Sequence, residues 1–157
     1  MKHSVINWDQ YNPPGSGTMV ISWLTGPQVC TYPLHTHKNQ TEIMIVTKGK
    51  LFHTLNGRTE TLNGGDALWI SETSLHSLKG EETELVNIAF RSDTVKQLQA
   101  GPERPFITKP DTVFSLSVEQ VNTLITLCRR IPGSEQENRY LLLELLLYFR
   151  RITAEPC

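Results

Sequence analysis

No stretch of this sequence is apolar for the roughly 18 residues that a membrane-crossing helix needs. The longest candidate, Tyr140 to Phe149, is interrupted by Glu144. A charged, then apolar, then small-residue pattern is missing from the start, so no secretory signal is expected. Neither sign of charge dominates: 15 Lys and Arg against 16 Asp and Glu give a formal net charge of −1. Nothing global therefore draws the chain to nucleic acid or to an anionic membrane. Cysteine is sparse, and Cys30, Cys128 and Cys157 have neither metal nor redox spacing. They read as reduced thiols in a cytoplasmic protein. Repeats and low-complexity tracts are also lacking. What remains is a chain of 157 residues, enough for one domain with a sizeable core.

The most informative stretch is 35–49. His35 and His37 are two apart, so on one strand both rings point to the same side. Lys38 to Thr41 reads as a turn, and Glu42 to Lys48 as a returning strand ended by Gly49. Glu42 can then face the two histidines. Asn63-Gly64-Gly65-Asp66 turns the chain again, with Asp66 expected to cap the turn. Ala67 to Ile70 follows as a short buried strand, and Leu75 to Leu78 carries His76. Inside a small barrel His35, His37, Glu42 and His76 would converge. Three imidazoles and a carboxylate suit a divalent first-row metal such as zinc, iron, nickel or manganese. His53, on the strand after Gly49, is expected on the surface, with a place in the pocket as the alternative; Glu72 is expected exposed, and His3 incidental in the tail.

Other segments fill out a barrel. Thr18 to Thr25 alternates in strand fashion, Gly26-Pro27 turns, and Val29 to Pro33 leads to the histidines. Leu51 to Leu55 and Arg58 to Leu62 flank Asn56-Gly57, a type I′ hairpin signal. Lys79 to Glu82 reads as a charged turn before a last strand, Glu84 to Phe90. So many short strands with tight turns imply a closed barrel or jelly roll over residues 18–92. Residues 1–17 form an arm whose breaker, Asn12 to Gly17, follows Trp8 and Tyr11. That arm either packs an aromatic onto the barrel or closes over a ligand as a flap. Residues 93–116 read as linker, with a short helix at Thr94 to Ala100 and Pro102, Pro105 and Pro110 beyond it. Residues 117–153 hold two helices. Ser117 with Gln120, and Ser134 with Glu137, form capping boxes, and Pro132-Gly133 separates the helices. The second is apolar almost all the way round. It is expected to need cover beyond its own subunit, from its copy in a homodimer.

His-x-His-x4-Glu-x6-Gly resembles the first cupin motif, and Gly65, Asp66 and His76 resemble the second. Val29, Ser71-Glu72-Thr73 and Gly80 stand where the motifs usually carry Gly, Pro-x-Gly and Asn, so the turns have drifted while the four ligand positions stay. The resemblance implies a mainly β fold: a double-stranded β-helix, the cupin jelly-roll barrel, followed by a C-terminal antiparallel two-helix hairpin. A barrel with such a hairpin is similar to the effector-sensing and dimerisation domain of AraC-type transcription regulators, and the ligand spacing to their chitobiose-regulator (ChbR-like) branch. That implies a small-molecule effector such as a sugar or related polar metabolite, a homodimer through the C-terminal helix, and DNA contact only through reader units outside these 157 residues. Trp23, Phe52 and Trp69 would stack on such a sugar or fill the barrel core. The alternative is a stand-alone metal-dependent cupin enzyme, a dioxygenase, isomerase or lyase; an inert scaffold is a third. No separate general base, nucleophile or phosphate-cradling loop specifies a reaction, and the leucine-rich helix favours the sensor.

Overall fold

A computed structural model of the chain describes residues 3–12, 17–25, 31–99, 109–130 and 134–154. The Asn12–Gly17 breaker, the Gly26-Pro27 turn, Pro102, Pro105, the Pro132-Gly133 stop, Cys30 and Cys157 lie wholly or partly outside those residues. The elements in order are β1 (Ser4–Asn7), α1 (Trp8–Tyr11), β2 (Met19–Leu24), β3 (Thr31–Lys38), β4 (Gln40–Leu55), β5 (Arg58–Asn63), β6 (Asp66–Ile70), β7 (His76–Arg91), α2 (Ser92–Leu98), β8 (Val113–Ser115), α3 (Val118–Cys128) and α4 (Glu135–Thr153).

Two long strands organise the barrel. β4 and β7 have 16 residues each and pair antiparallel from Gln40↔Arg91 to Leu55↔His76. At one end β2 adds to β7 and β6 to β4, with β8 beyond β6. At the other end β3 adds to β7 and β5 to β4, with β1 parallel to β3 at the edge. The pairing is interrupted between Val46 and Lys50, where the register shifts twice. There Gly49 (φ 79°) faces Glu82 (φ 45°). The paired bulge divides each long strand between two half-sheets that close on one another as a jelly roll.

This corrects two sequence expectations. Gly49 does not end a strand; it is the bulge that lets one strand serve both sheets. Lys79 to Glu82 is not a turn but lies within β7. The turn expected over Lys38 to Thr41 shrinks to Asn39 (φ 54°), which leads directly into β4. The Asn56-Gly57 hairpin forms as expected, with positive φ at both residues. Asp66 caps its turn by accepting from the Asn63 backbone N–H at 2.8 Å. β8 lies where extended linker was expected.

Apolar side chains collect in two layers. Met44, Val46, Leu51, Leu55, Leu62, Leu68, Ile70 and Leu85 pack together between the half-sheets. On the outer face of the first half-sheet, Ile43, Ile45, Val86, Ile88 and Phe90 meet Leu124, Leu127 and most of the leucines of α4. Ser117 caps α3 in a full capping box with Gln120, and Ser134 Oγ accepts from the Glu137 N–H at the start of α4. α3 and α4 run antiparallel, tied by Arg130 to Glu144. Leu141, Leu142, Leu145, Leu146 and Phe149 are buried within this one chain, so α4 needs less outside cover than its composition suggests. Leu143, Leu147 and Tyr148 stay half-exposed.

Two measurements test this packing. Leu145→Ala should lower unfolding free energy in urea by about 2–5 kcal/mol, the cost of a cavity in a closed core. Gly49→Ala should destabilise clearly more than Gly57→Ala. A Cβ at Gly49 would sit 2.3 Å from the Glu82 carbonyl oxygen, whereas at Gly57 nothing among the described residues lies within 4 Å. Gly57→Ala then costs only the backbone term of about 1–2 kcal/mol.

Candidate functional site

The cluster is assembled by strand pairing. His35 on β3 lies opposite His76 on β7, and Leu55 on β4 flanks His76 from the other side. His37 follows His35 by one strand period, and its backbone N–H is held by the Glu72 carbonyl at 3.1 Å. Glu72, expected exposed, is half-buried, and its side chain also accepts from the Asn39 N–H at 2.9 Å. It braces the tight turn between the two histidines and Glu42. Ring centroids of His35 and His76 are 4.2 Å apart, His35 and His37 4.9 Å, and His37 and His76 5.2 Å. One nitrogen from each of these three rings lies within 4.8 Å of the others. Glu42 Oε1 is 3.3 Å from His37 Nε2 and accepts from Gln40 Nε2 at 2.8 Å. The His37 contact is off the line of a hydrogen bond, so neither nitrogen of that ring has a hydrogen-bond partner.

A fifth polar residue belongs here. His53, expected on the surface, is 0% exposed, and its Nε2 is 3.0 Å from His76 Nδ1. The sequence reading left it on the surface because Gly49 read as the end of a strand; on one regular strand, too, residues 42 and 53, an odd number apart, would fall on opposite faces. The Gly49 bulge reverses that parity: Gln40, Glu42 and Met44 line the cavity, but Leu51, His53 and Leu55 are the buried residues after it. A glycine followed by a sign change in the apolar alternation was the available signal.

Burial sets the charges. It pulls His76 down to about 3, with further lowering from His35, and pulls His53 down to about 4, opposed in part by Asp111 and Glu42. It lowers His35 too, against a bond from His35 Nδ1–H to the Pro33 carbonyl at 2.8 Å. Burial would raise the Glu42 carboxyl, but His37 beside it, with His76 and Asn87, brings it down to about 2. At neutral pH the site thus holds the Glu42 carboxylate and neutral His35, His53 and His76 rings. His37 Nδ1 and Nε2, His53 Nδ1 and His76 Nε2 are buried with no hydrogen-bond partner among the described residues. Unpaired polar atoms in a closed interior are costly, and a divalent cation would satisfy them. The residues fit such an ion in donor type and proximity.

The cluster opens into a cavity of about 450 Å³, within the roughly 300–1,000 Å³ of small-molecule sites. Its polar lining includes Ser22, Gln40, Glu42 and Asn87; its apolar lining includes Ile6, Val20, Leu24 and Leu78. Trp8, Tyr11 and Asn12 of the N-terminal arm form part of the wall. The three expected aromatics lie elsewhere. Trp23 faces outward, 45% exposed, under the Arg129 guanidinium at 5.5 Å, because Ser22 and Leu24 take the inward positions of β2. Trp69 is buried against Phe90 and Phe149 on the helix side. Phe52 is turned outward by the same bulge that turns His53 in.

A family model for the AraC-like ligand binding domain matches residues 26–149. Apo ToxT from Vibrio cholerae is similar in fold over 85% of this chain and 54% of its own, with a TM-score of 0.61 at 12% identity. Wild-type ToxT with unsaturated fatty acid bound aligns over 85% and 52%, with a TM-score of 0.56, also at 12% identity. A cupin protein from Bacteroides fragilis aligns over 62% of this chain and 77% of its own, at 24% identity and a TM-score of 0.40. The chain therefore spans about half the length of ToxT. No curated protein matches the sequence.

The buried imidazoles give metal-free protein a definite acid response. Unfolded histidines take up protons near pH 6.5, whereas His53 and His76 do so only near 4 and 3. Between those values the unfolded chain holds more protons, so stability is full above pH 6.5 and falls as pH falls. At pH 5 the loss is about 2 kcal/mol per imidazole. Glu42 adds loss of the same sign below 4.5, towards about 2. Urea titrations with chelator present, at pH 7 and pH 5, check the slope, and it should flatten in His53→Phe.

Proposed function

Since this chain belongs to the AraC-like ligand binding domain family, we propose that it is the effector-sensing and dimerisation module of a transcription regulator, binding a small polar metabolite in a metal-equipped barrel cavity. The observation that carries the reading is the cavity end itself. Three imidazoles and a carboxylate meet there, with buried nitrogens left unbonded, beside a space of small-molecule size. His35, His37, Glu42 and His76 hold the metal, of the zinc, nickel, iron or manganese kind. Bound there, the ion supplies Lewis acidity and a coordination position for an oxygen or nitrogen of the effector.

The chain's own groups do the rest. Ser22, Gln40 and Asn87 present hydrogen-bonding atoms to hydroxyls, as a sugar-like effector requires. With Trp23, Phe52 and Trp69 turned away, the aromatics that meet the ligand are Trp8, Tyr11 and Tyr32. Two of these come from the arm, which forms a wall of the cavity. The ligated state reaches the helices through the first half-sheet, and the pair of subunits through the groove between α3 and α4. That groove is lined in part by Val118, Leu127, Leu147 and Tyr148, with Val118 79% exposed. DNA is contacted by reader units of the family, not by this near-neutral domain.

The reading is tested by purifying the chain without chelator. About one equivalent of divalent metal per chain is expected by elemental analysis, falling to background in His37→Ala. Light scattering at micromolar concentration should give a dimer that survives that substitution, and a strictly monomeric mass would remove the dimer. Thermal shifts with sugars and with unsaturated fatty acids, each with and without zinc, identify the effector class. Saturable stabilisation by a sugar without turnover supports the sensor; conversion of the added compound to product would make the chain an enzyme instead.

A further inference from the structure

His53 has no place in the ligand set, yet it is the most enclosed polar residue of the cluster. A neutral imidazole carries one proton, on either nitrogen. The 3.0 Å approach of His53 Nε2 to His76 Nδ1 is a hydrogen bond only when one of those two nitrogens bears the proton and the other does not. In the first arrangement His76 Nδ1–H donates to His53 Nε2. The second nitrogen of His76, Nε2, is then a bare lone pair. In the second arrangement His53 Nε2–H donates to His76 Nδ1. The His76 proton then sits on Nε2, the nitrogen a cation would need. Both arrangements contain the same number of protons, so the choice is one of tautomer and not of charge.

We propose that His53 is a positioning residue for the metal centre: it accepts the Nδ1–H of His76 and thereby presents His76 Nε2 to the cation as an unprotonated donor. Three features support this. His76 Nε2 and His53 Nδ1 are both buried with no hydrogen-bond partner among the described residues, so each arrangement strands one N–H in the metal-free protein, and only the first offers an ion the bare lone pair of His76 Nε2. His35 is arranged the same way, its Nδ1–H held by the Pro33 carbonyl so that Nε2 is the free nitrogen. Two of the three histidines thus have one nitrogen committed and the other left for the ion, as histidine ligands require. Finally, the double bulge at Gly49 and Glu82 is what turns His53 inward, so the device is built into the spine of the barrel. His53 acts on the ion only through His76.

The inference rests on the metal reading, and the experiment separates the two. Zinc affinity is measured by chelator competition on the whole chain for wild type, His53→Phe and His53→Gln. Phe fills the space without an acceptor; Gln restores a carbonyl oxygen that accepts from His76 Nδ1–H. Wild type should bind zinc, His53→Phe should bind it roughly 10–100-fold more weakly, and His53→Gln should recover most of the loss. Long-range proton–nitrogen correlation spectra of zinc-loaded wild type should show the His76 proton on Nδ1. That spectrum needs no variant, so it decides even where His53→Phe does not fold. Wild-type affinity in His53→Phe, no recovery in folded His53→Gln, or a His76 proton on Nε2 overturns the role of His53 alone. No zinc binding by wild type overturns the metal centre and this inference with it.

Discussion

Four imidazoles and a carboxylate are enclosed in one end of a small barrel, and each polar atom there must find a partner or destabilise the fold. Several already have one: His35 Nδ1 has the Pro33 carbonyl, Glu42 has Gln40, and His76 has His53. The remainder, on His37, His53 and His76, have no hydrogen-bond partner among the described residues. A protein that only needed a stable core would fill this space with leucine, as it does between the half-sheets a few residues away. The unpaired set therefore points to a binding role rather than a structural one.

The sheet that carries this set also carries the helices, and strand alternation connects them. Along β4, Gln40, Glu42 and Met44 line the cavity while Ile43 and Ile45 touch the helix layer. Along β7, Leu85, Asn87 and Ala89 face inward, and Val86, Ile88 and Phe90 face outward. An occupant that moves one face of this sheet acts on the packing of α4 through a single layer of backbone. Close-packed cores respond to such shifts by changing arrangement, not by yielding gradually. This gives a sensor a short path from cavity to helix pair.

What could be read in the sequence was local. The His35-x-His37 spacing, the Asn56-Gly57 turn and the Ser117 capping box each specify geometry within a few residues. What could not be read depended on parity over a longer distance. One bulge at Gly49, answered by Glu82 on the neighbouring strand, exchanges inner for outer along the second halves of both β4 and β7. It brings His53 in and puts Phe52 out. Trp69 fills a core, as one of its two readings had it, but on the helix side: the first half-sheet has apolar cover on both faces, so a buried aromatic need not face the cavity. The same layer explains why so many α4 leucines are satisfied within one chain.

The most direct test is where a metal ion sits. Crystals of the chain loaded with cobalt, with data collected on either side of the cobalt absorption edge, should show one strong anomalous peak. It should lie within coordinating distance of His35, His37, Glu42 and His76, with His53 outside that distance but bonded to His76. A peak confined to surface residues, or an ordered apolar ligand filling the cluster with no metal, would contradict this account.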